Sequence, residues 1–206
     1  MTIVIFGATG RTGRRLIQQA LAQGHRVRAY VRDRRKFEVQ QVEIFEGEID
    51  DVASMERAVE GTDAVFSALG PTKTSPPDLM TRAAANIVKA MKKKGIRRLI
   101  WQTGAGVRDE QDPFSLVRMI MVFLMKVFSP SVHSDSETAF QTIKNSELDW
   151  TVIRVPVLKD GDRQGGYKVG FSPPGPVPLS RADIAEFMLR QLTDRQYMRQ
   201  SPFIGR

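Results

Sequence analysis

The chain has 206 residues, 41% of them hydrophobic, and 31 Lys and Arg against 23 Asp and Glu give it a formal net charge of +8; this is enough for one domain with a sizeable core. The absence of cysteine excludes disulfides, thiolate metal sites and a cysteine nucleophile, and two histidines, His25 and His133, are too few for a His-rich metal site, so no metal is expected. A reducing cytoplasm is the default compartment for such a composition.

Strand and helix signals alternate along the chain. TIVIFG is a short β-branched run that reads as a buried strand, too short to be a signal peptide. GRRLIQQALAQG places Leu16, Ile17, Ala20 and Leu21 at helical spacing, with Gly24 as a stop. RVRAYVR and VEIFEG read as strands two and three, ASMERAVEG as a helix closed by Gly61, and DAVFSALG as strand four. A long helix follows in PDLMTRAAANIVKAMKKKG, between Pro77 and Gly95. RRLIWQT is strand five, SDSETAFQTIKNS a helix capped by a Ser or Asp, and DWTVIRV strand six.

The apolar stretch from Phe114 to Phe128 is interrupted by Arg118 and Lys126 and is too short and charged to span a bilayer. It is expected as a buried helix or one beside a binding mouth, with a peripheral membrane or partner contact as the other reading. Residues 159–178 are rich in Gly and Pro and read as loop or short edge strands. SRADIAEFMLRQL closes the pattern as a helix with Ser180 as N-cap and Asp183 at its third position. Strand–helix alternation with short links implies an α/β doubly wound parallel sheet, the Rossmann arrangement, in one domain over 1–206.

Gly7, Gly10 and Gly13 form GxxGxxG between the first strand and the first helix. Gly7 permits the tight turn, Gly10 lets the backbone approach a pyrophosphate, and Gly13 lets the helix pack close to the sheet. The first-turn amides take the negative charge, with Thr9 and Thr12 as hydroxyl donors. Strand two ends in Arg32, Asp33, Arg34, Arg35 and Lys36. NAD sites usually place an acid here for the ribose 2′-OH; guanidinium forks instead match a 2′-phosphate, so the cofactor expected is NADPH/NADP. A solvated basic turn is the plainer reading of the same residues. The clusters Arg32–Lys36, Lys92–Arg98 and Arg195–Arg199 come without an RNA motif or helix-turn-helix pattern, so no nucleic-acid partner is expected.

Alcohol-oxidising short-chain dehydrogenases use a YxxxK pair with a nearby Ser. Tyr30, Tyr167 and Tyr197 are followed four residues on by Arg34, Phe171 and Ser201, and strand five ends in Thr103 and Gly104. Without that set, either the chain holds a cofactor without chemistry, or it transfers hydride to a conjugated acceptor, a flavin, quinone or bilin, with the proton coming from solvent.

The stretches IFGATGRTG, YVRD, NIVKAMKKKGIRRLIWQT, VIRVPVLKD and SRADIAEFMLRQL, in order over nearly the whole chain, resemble the biliverdin reductase B (flavin reductase) family of atypical short-chain dehydrogenases. The resemblance implies an NADPH-dependent reductase of flavins and some linear tetrapyrroles. Gly7, Thr9, Gly10, Arg11, Thr12 and Gly13 match its pyrophosphate loop. Arg32 and Lys36 match the positions at the adenosine phosphate, and Ala68, Leu69 and Gly70 the strand end under the cofactor. Thr103 falls near the nicotinamide, and Pro156, Val157 and Leu158 match the lining of its pocket. Glu48 and Ile49, Gly104 and Val157 depart from the family pattern; the last two remove polar groups from the substrate mouth, which stretches 104–135 and 157–180 would line.

Thr103 and Arg11 are therefore the candidates for the chemistry, Arg11 as a guide for an anionic flavin or bilin; an exposed first-turn arginine is its other reading. Arg108 and Arg118 are weaker candidates for that job. Trp101 and Trp150 read as packing, the methionines around 119–125 as core or lid, and His133 as a cap-region residue. A cytoplasmic monomer acting on a small molecule is expected. The rival reading is a non-catalytic NADP(H)-binding sensor or accessory protein.

Overall fold

The computed structural model describes residues 1–37, 39–72, 74–173, 175 and 177–206, with the side chains of Lys36, Val117, Arg118 and Met121 outside that description. Strands β1 (Thr2–Phe6), β2 (Arg26–Val31), β3 (Val42–Glu46), β4 (Ala64–Ser67), β5 (Arg98–Gly104) and β6 (Asp149–Val155) are parallel and lie in the order 3-2-1-4-5-6. The register sets Ile5 of β1 between Ala29 and Phe66. The strand order reverses between β1 and β4, and a crevice opens there beyond the carboxyl ends of the strands.

Helices α1 (Arg11–Ala22) and α6 (Arg181–Arg190) pack together on one face of the sheet; α2 (Val52–Val59), α3 (Leu79–Lys94) and α5 (Pro130–Lys144) cover the other. With both faces covered, the strands need unbroken apolar runs rather than alternation, and Ile3, Val4, Ile5, Val65 and Phe66 are all fully buried. The two cores meet different sides of the same strand: on β5, Ile100 faces the α1–α6 layer while Leu99 and Trp101 face α3 and α5. Trp150, expected as packing, lies inside β6 with its ring edge-on to Phe140.

Helix starts follow local chemistry in two cases. Asp51 accepts from Ser54 N at the head of α2, and Ser180 accepts from Asp183 N at the head of α6, as the sequence indicates. The third case is a correction. The helix expected to begin at the SDSE stretch begins four residues before it, at Pro130, so His133 is a buried residue of its first turn and not part of a cap. Asp135, freed from capping its own helix, accepts from Met80 N and Thr81 N at 2.8 Å each and caps α3 from across the layer. Asp78, the residue at the head of α3, offers no side-chain cap.

Four short strands complete the fold, of which the one at Lys168–Gly170 falls within the 159–178 stretch read as loop or short edge strands. β7 (Leu158–Lys159) pairs with β9 (Leu179–Ser180) in a small parallel sheet, and β8 (Lys168–Gly170) runs antiparallel to β10 (Phe203–Gly205). β10 itself extends the main sheet beyond β6 through a single register pair, Phe203 with Arg154. Arg154 is fully buried: it forks onto Asp112 at 2.6 Å through both terminal nitrogens, donates to the carbonyls of Ser201 and Val107, and lies 3.7 Å from the Phe203 ring centroid. This clip, with Asp109 accepting from Ser201 and Lys144, pins the loop after β5 to the C-terminal strand.

The segment from Phe114 to Phe128 is also corrected. Helix α4 (Leu116–Phe128) forms, but it is not buried: Leu116, Ile120 and Phe123 are more than half exposed. No helix among the described residues is long and apolar enough to cross a membrane.

Candidate active site

A cleft of about 470 Å³ opens at the reversal point of the sheet. Gly7, Thr9, Gly10, Arg11, Thr12, Arg32, Ala68, Leu69, Gly70 and Leu158 line it, so most of the residues expected from the sequence are brought together. Gly7 has a φ of +77°, and a Cβ there would stand 2.7 Å from the Ala68 carbonyl carbon and 2.8 Å from Leu69 N. Only glycine lets the end of β1 pass this close to the end of β4. A Cβ on Gly13 would collide with the Gly7 carbonyl oxygen, so that glycine sets the seat of α1 on the loop rather than lining the cleft.

The head of α1 is open to a ligand. Gly10 is its N-cap, no side chain caps it and no acid lies in its first turn. The first-turn amides therefore present donors and the positive end of the dipole to the cleft. The cleft also holds an orphan: Gln102 of β5 lines it, and its buried Oε1 has no hydrogen-bond partner among the described residues. A glycine-built turn, an uncapped helix head and an unsatisfied amide on the strand two places further along the sheet fit a dinucleotide laid across the reversal point.

At the end of the cleft beside β2 the electrostatics are specific. Arg32 lines the cleft, and among the described residues it makes no ion pair. Asp33 faces elsewhere: it caps the 3₁₀ turn Arg34–Lys36 by accepting from Arg35 N at 3.0 Å and is forked by the Arg35 guanidinium at 3.0 and 3.2 Å. Lys36 belongs to this turn, and its side chain lies outside the described residues. Tyr30 forms the floor. Its hydroxyl donates to the Glu48 carbonyl at 2.9 Å and fits there because residue 47 is glycine. Burial first, then the Asp51 charge, push its ionisation far above the ordinary phenol range, so it stays a neutral donor. Glu48 and Ile49, which depart from the family pattern, are in this wall too, with Asp50, which is paired to Arg82.

Arg11 lines the cleft and reaches across it to Asp160, just past β7, at 3.1 Å. Arg181, at the first position of α6, holds the other oxygen of the same carboxylate at 2.9 Å. Desolvation works against ionising Asp160, but the Arg11 hydrogen bond and the two guanidinium charges outweigh it and hold the carboxyl below its ordinary value. Arg11 is thus half of a strap joining α1 to α6. Arg181, Arg82, Tyr30 and Gln102 are cleft residues that sequence reasoning did not single out. The N-cap Ser180 marks the residue after it as a helix head, which is the one signal that could have flagged Arg181.

Thr103 is buried at the end of β5, next to Gln102 but on the opposite side of the strand, and lies outside the cleft lining, as do Pro156 and Val157; Val157 is 71% exposed. Among the described residues, none from 104–135 lines the cleft, and Leu158 alone does so from 157–180. Arg108 instead borders a separate hollow with Lys126, His133 and Glu137, and the side chain of Arg118 lies outside the described residues. The cleft contains no histidine or lysine among the described residues, and its one tyrosine is committed to the backbone.

A glycine-rich turn, a reversal-point crevice and a basic second-strand end define a dinucleotide-binding Rossmann domain. The chain belongs to the NAD(P)H-binding family, whose model matches residues 7–195. It is similar to the oxidoreductase tpcG of Aspergillus fumigatus, at 28% identity over 94% of this chain and 79% of that protein. In fold it matches a short-chain dehydrogenase/reductase of Veillonella parvula solved in complex with NADP, with a TM-score of 0.78 at 20% identity over 100% of this chain and 94% of the other. It also matches ChuY, described as an anaerobillin reductase of Escherichia coli O157:H7, with a TM-score of 0.81 at 22% identity over 99% and 96%.

Proposed function

We propose that this protein is an NADPH-dependent oxidoreductase of the biliverdin reductase B type, which reduces conjugated acceptors: free flavins such as FMN and riboflavin, and biliverdin-like linear tetrapyrroles. The observation that carries the reading is the pairing of an intact dinucleotide cleft with the lack, among its described lining residues, of an acid–base pair of the kind alcohol chemistry requires. NADPH supplies a hydride when bound. The acceptor must therefore spread the incoming electrons over its own ring system and take its proton from solvent, which leaves the protein to position and to exclude wrong geometry.

The roles follow from the placements. Gly7, Gly10 and the head of α1 hold the pyrophosphate. Arg32 takes the 2′-phosphate, since the acid that could select NADH, Asp33, is consumed by Arg35. Ala68, Leu69 and Gly70 form the bed of the cofactor, and Gln102 and Leu158 flank its nicotinamide half. Arg11 guides an anionic acceptor to the opening while Asp160 fixes its reach. Thr103 and Pro156 sit behind this surface as supports. The fold shared with ChuY, a protein described as an anaerobillin reductase, is consistent with a flat conjugated substrate on this scaffold.

The test is NADPH oxidation followed at the nicotinamide absorbance with FMN, riboflavin and biliverdin added separately, and NADH as control. NADPH-selective turnover of any of the three is expected. Tight NADPH binding with no turnover of any acceptor would instead assign the chain to non-catalytic NADP(H) sensing.

A further inference from the structure

Helix α4 carries an apolar face that no other described element covers. Leu116, Ile120, Phe123 and Val127, with Met119 and Leu124 beside them, recur at three- and four-residue spacing and so share one side of the helix. Their exposures run from 46% to 64%, and Phe114 and Phe128, at the two ends, are 84% and 78% exposed. The opposite side anchors the helix: Val122 is buried, and Met125 rests on Gly106, where any Cβ would collide with its sulfur. A monomer rarely leaves so large a contiguous apolar strip to water.

We propose that this face docks on the surface of an anionic lipid bilayer. The strip is about 20 Å long, too short to cross a hydrocarbon core of about 30 Å but suited to lie in the interfacial plane with its phenylalanines down. Charge selects the occupant. From Pro113 to Ser134 the sequence contains no Asp or Glu, yet holds Arg118 and Lys126, in a chain of net charge +8. Lys126 is exposed at the edge of the strip; the hollow it lines also holds Arg108 and the acids Asp109, Glu110 and Glu137, the first two of them paired to Lys144. A second copy is the poorer occupant: the helix that carries the face has no acid, so a two-fold pairing of it would bring Lys126 no opposite charge from the partner helix, whereas anionic headgroups complement a cation near the surface at roughly 1 kcal/mol. Gly106 lies two residues past the end of β5, so α4 stands at the edge of the sheet onto which the cleft opens.

The experiment is vesicle flotation of the full chain with phosphatidylcholine alone and with phosphatidylcholine containing phosphatidylglycerol, at low and high salt. Flotation with the anionic vesicles, reversed by salt, is expected. The double variant Ile120→Ser/Phe123→Ser should weaken it roughly tenfold or more, and Lys126→Glu should weaken it while leaving the apolar strip intact. Unchanged NADP+ binding and melting in both variants certify that they fold. Three results would overturn the proposal: flotation with neither vesicle, equal flotation with both, or a wild-type dimer in light scattering that the double variant abolishes, which would give the face to a second copy.

Discussion

The three glycines of the first loop separate fold from cofactor binding, because each is glycine for a different reason. At Gly7, alanine meets both a left-handed φ of +77° and backbone atoms of Ala68 and Leu69 at 2.7 to 2.8 Å. The first is worth about 1–2 kcal/mol and the second about 1–3 kcal/mol as overpacking, so Gly7→Ala should destabilise by about 3 kcal/mol. In a chain of this size that is a fall in Tm of roughly 6–12 °C. Gly13→Ala should do comparable damage, since its Cβ strikes a carbonyl oxygen that cannot move without lifting α1 from the sheet. Gly10→Ala is different. Its Cβ would stand 3.1 Å from the Gly7 carbonyl oxygen, tight but tolerable, and its φ of −69° suits any residue. Stability should change by less than about 1 kcal/mol, while a methyl group would stand where, on the proposed placement, the pyrophosphate meets the backbone. Urea unfolding and calorimetric NADP+ titration on the three variants decide the matter. The expected pattern is loss of both properties at Gly7 and Gly13, and loss of affinity by at least about tenfold with stability kept at Gly10. A Gly10→Ala variant that binds NADP+ like the wild type would refute the placement of the cofactor on this loop.

Three other outcomes follow. Arg32→Ala should raise the KM for NADPH roughly ten- to hundredfold, the scale of a lost charge-assisted hydrogen bond, and leave NADH kinetics nearly unchanged; equal losses for both cofactors would remove Arg32 from the 2′-phosphate. Asp135→Ala leaves two amides of α3 without their cap and should cost about 2–4 kcal/mol in urea unfolding, with Asp135→Asn intermediate; a loss below about 1 kcal/mol would show that α3 does not depend on α5 for its cap. Asp109 gives the pH dependence. Desolvation raises its pKa, but hydrogen bonds from Ser201 and Lys144 outweigh it, so the folded carboxyl titrates below the ordinary value of 3.8. A depressed carboxylate contributes stability that is complete above its unfolded value and lost as pH falls through the folded one. The stability gap between wild type and Asp109→Asn should therefore be full at neutral pH and shrink below pH 3.8; a gap independent of pH would mean that the charge contributes nothing.

Periodicity and punctuation in the sequence were sufficient for the parallel sheet and most of its helices. The β-branched runs need two covered faces, and Gly24, Gly61 and Gly95 stop helices where the left-handed φ values of 76°, 69° and 69° occur. The glycine spacing and the arginine at the end of strand two depend on neighbours within a few residues, which is why that half of the cleft could be read directly. The second half could not. Arg181 reaches the cleft only because α6 packs beside α1, and it meets Arg11 through Asp160, a carboxylate 149 residues from Arg11 in the chain.

The same limit explains the errors. Asp135 looks like a cap for its own helix, a local rule, but the layer packing of α3 against α5 gives it two amides 54 and 55 residues away. β10 is three residues long and carries no period of its own; Arg154 and the β8 edge recruit it. α4 has the composition of a buried helix, and composition cannot say whether a partner surface exists to bury it. Local chemistry thus determined the loop, the strand order's raw material and the cofactor class. Tertiary packing decided which distant charges close the cleft, which helix caps which, and that one apolar helix faces outward, because those outcomes depend on distances between segments that the chain order does not contain.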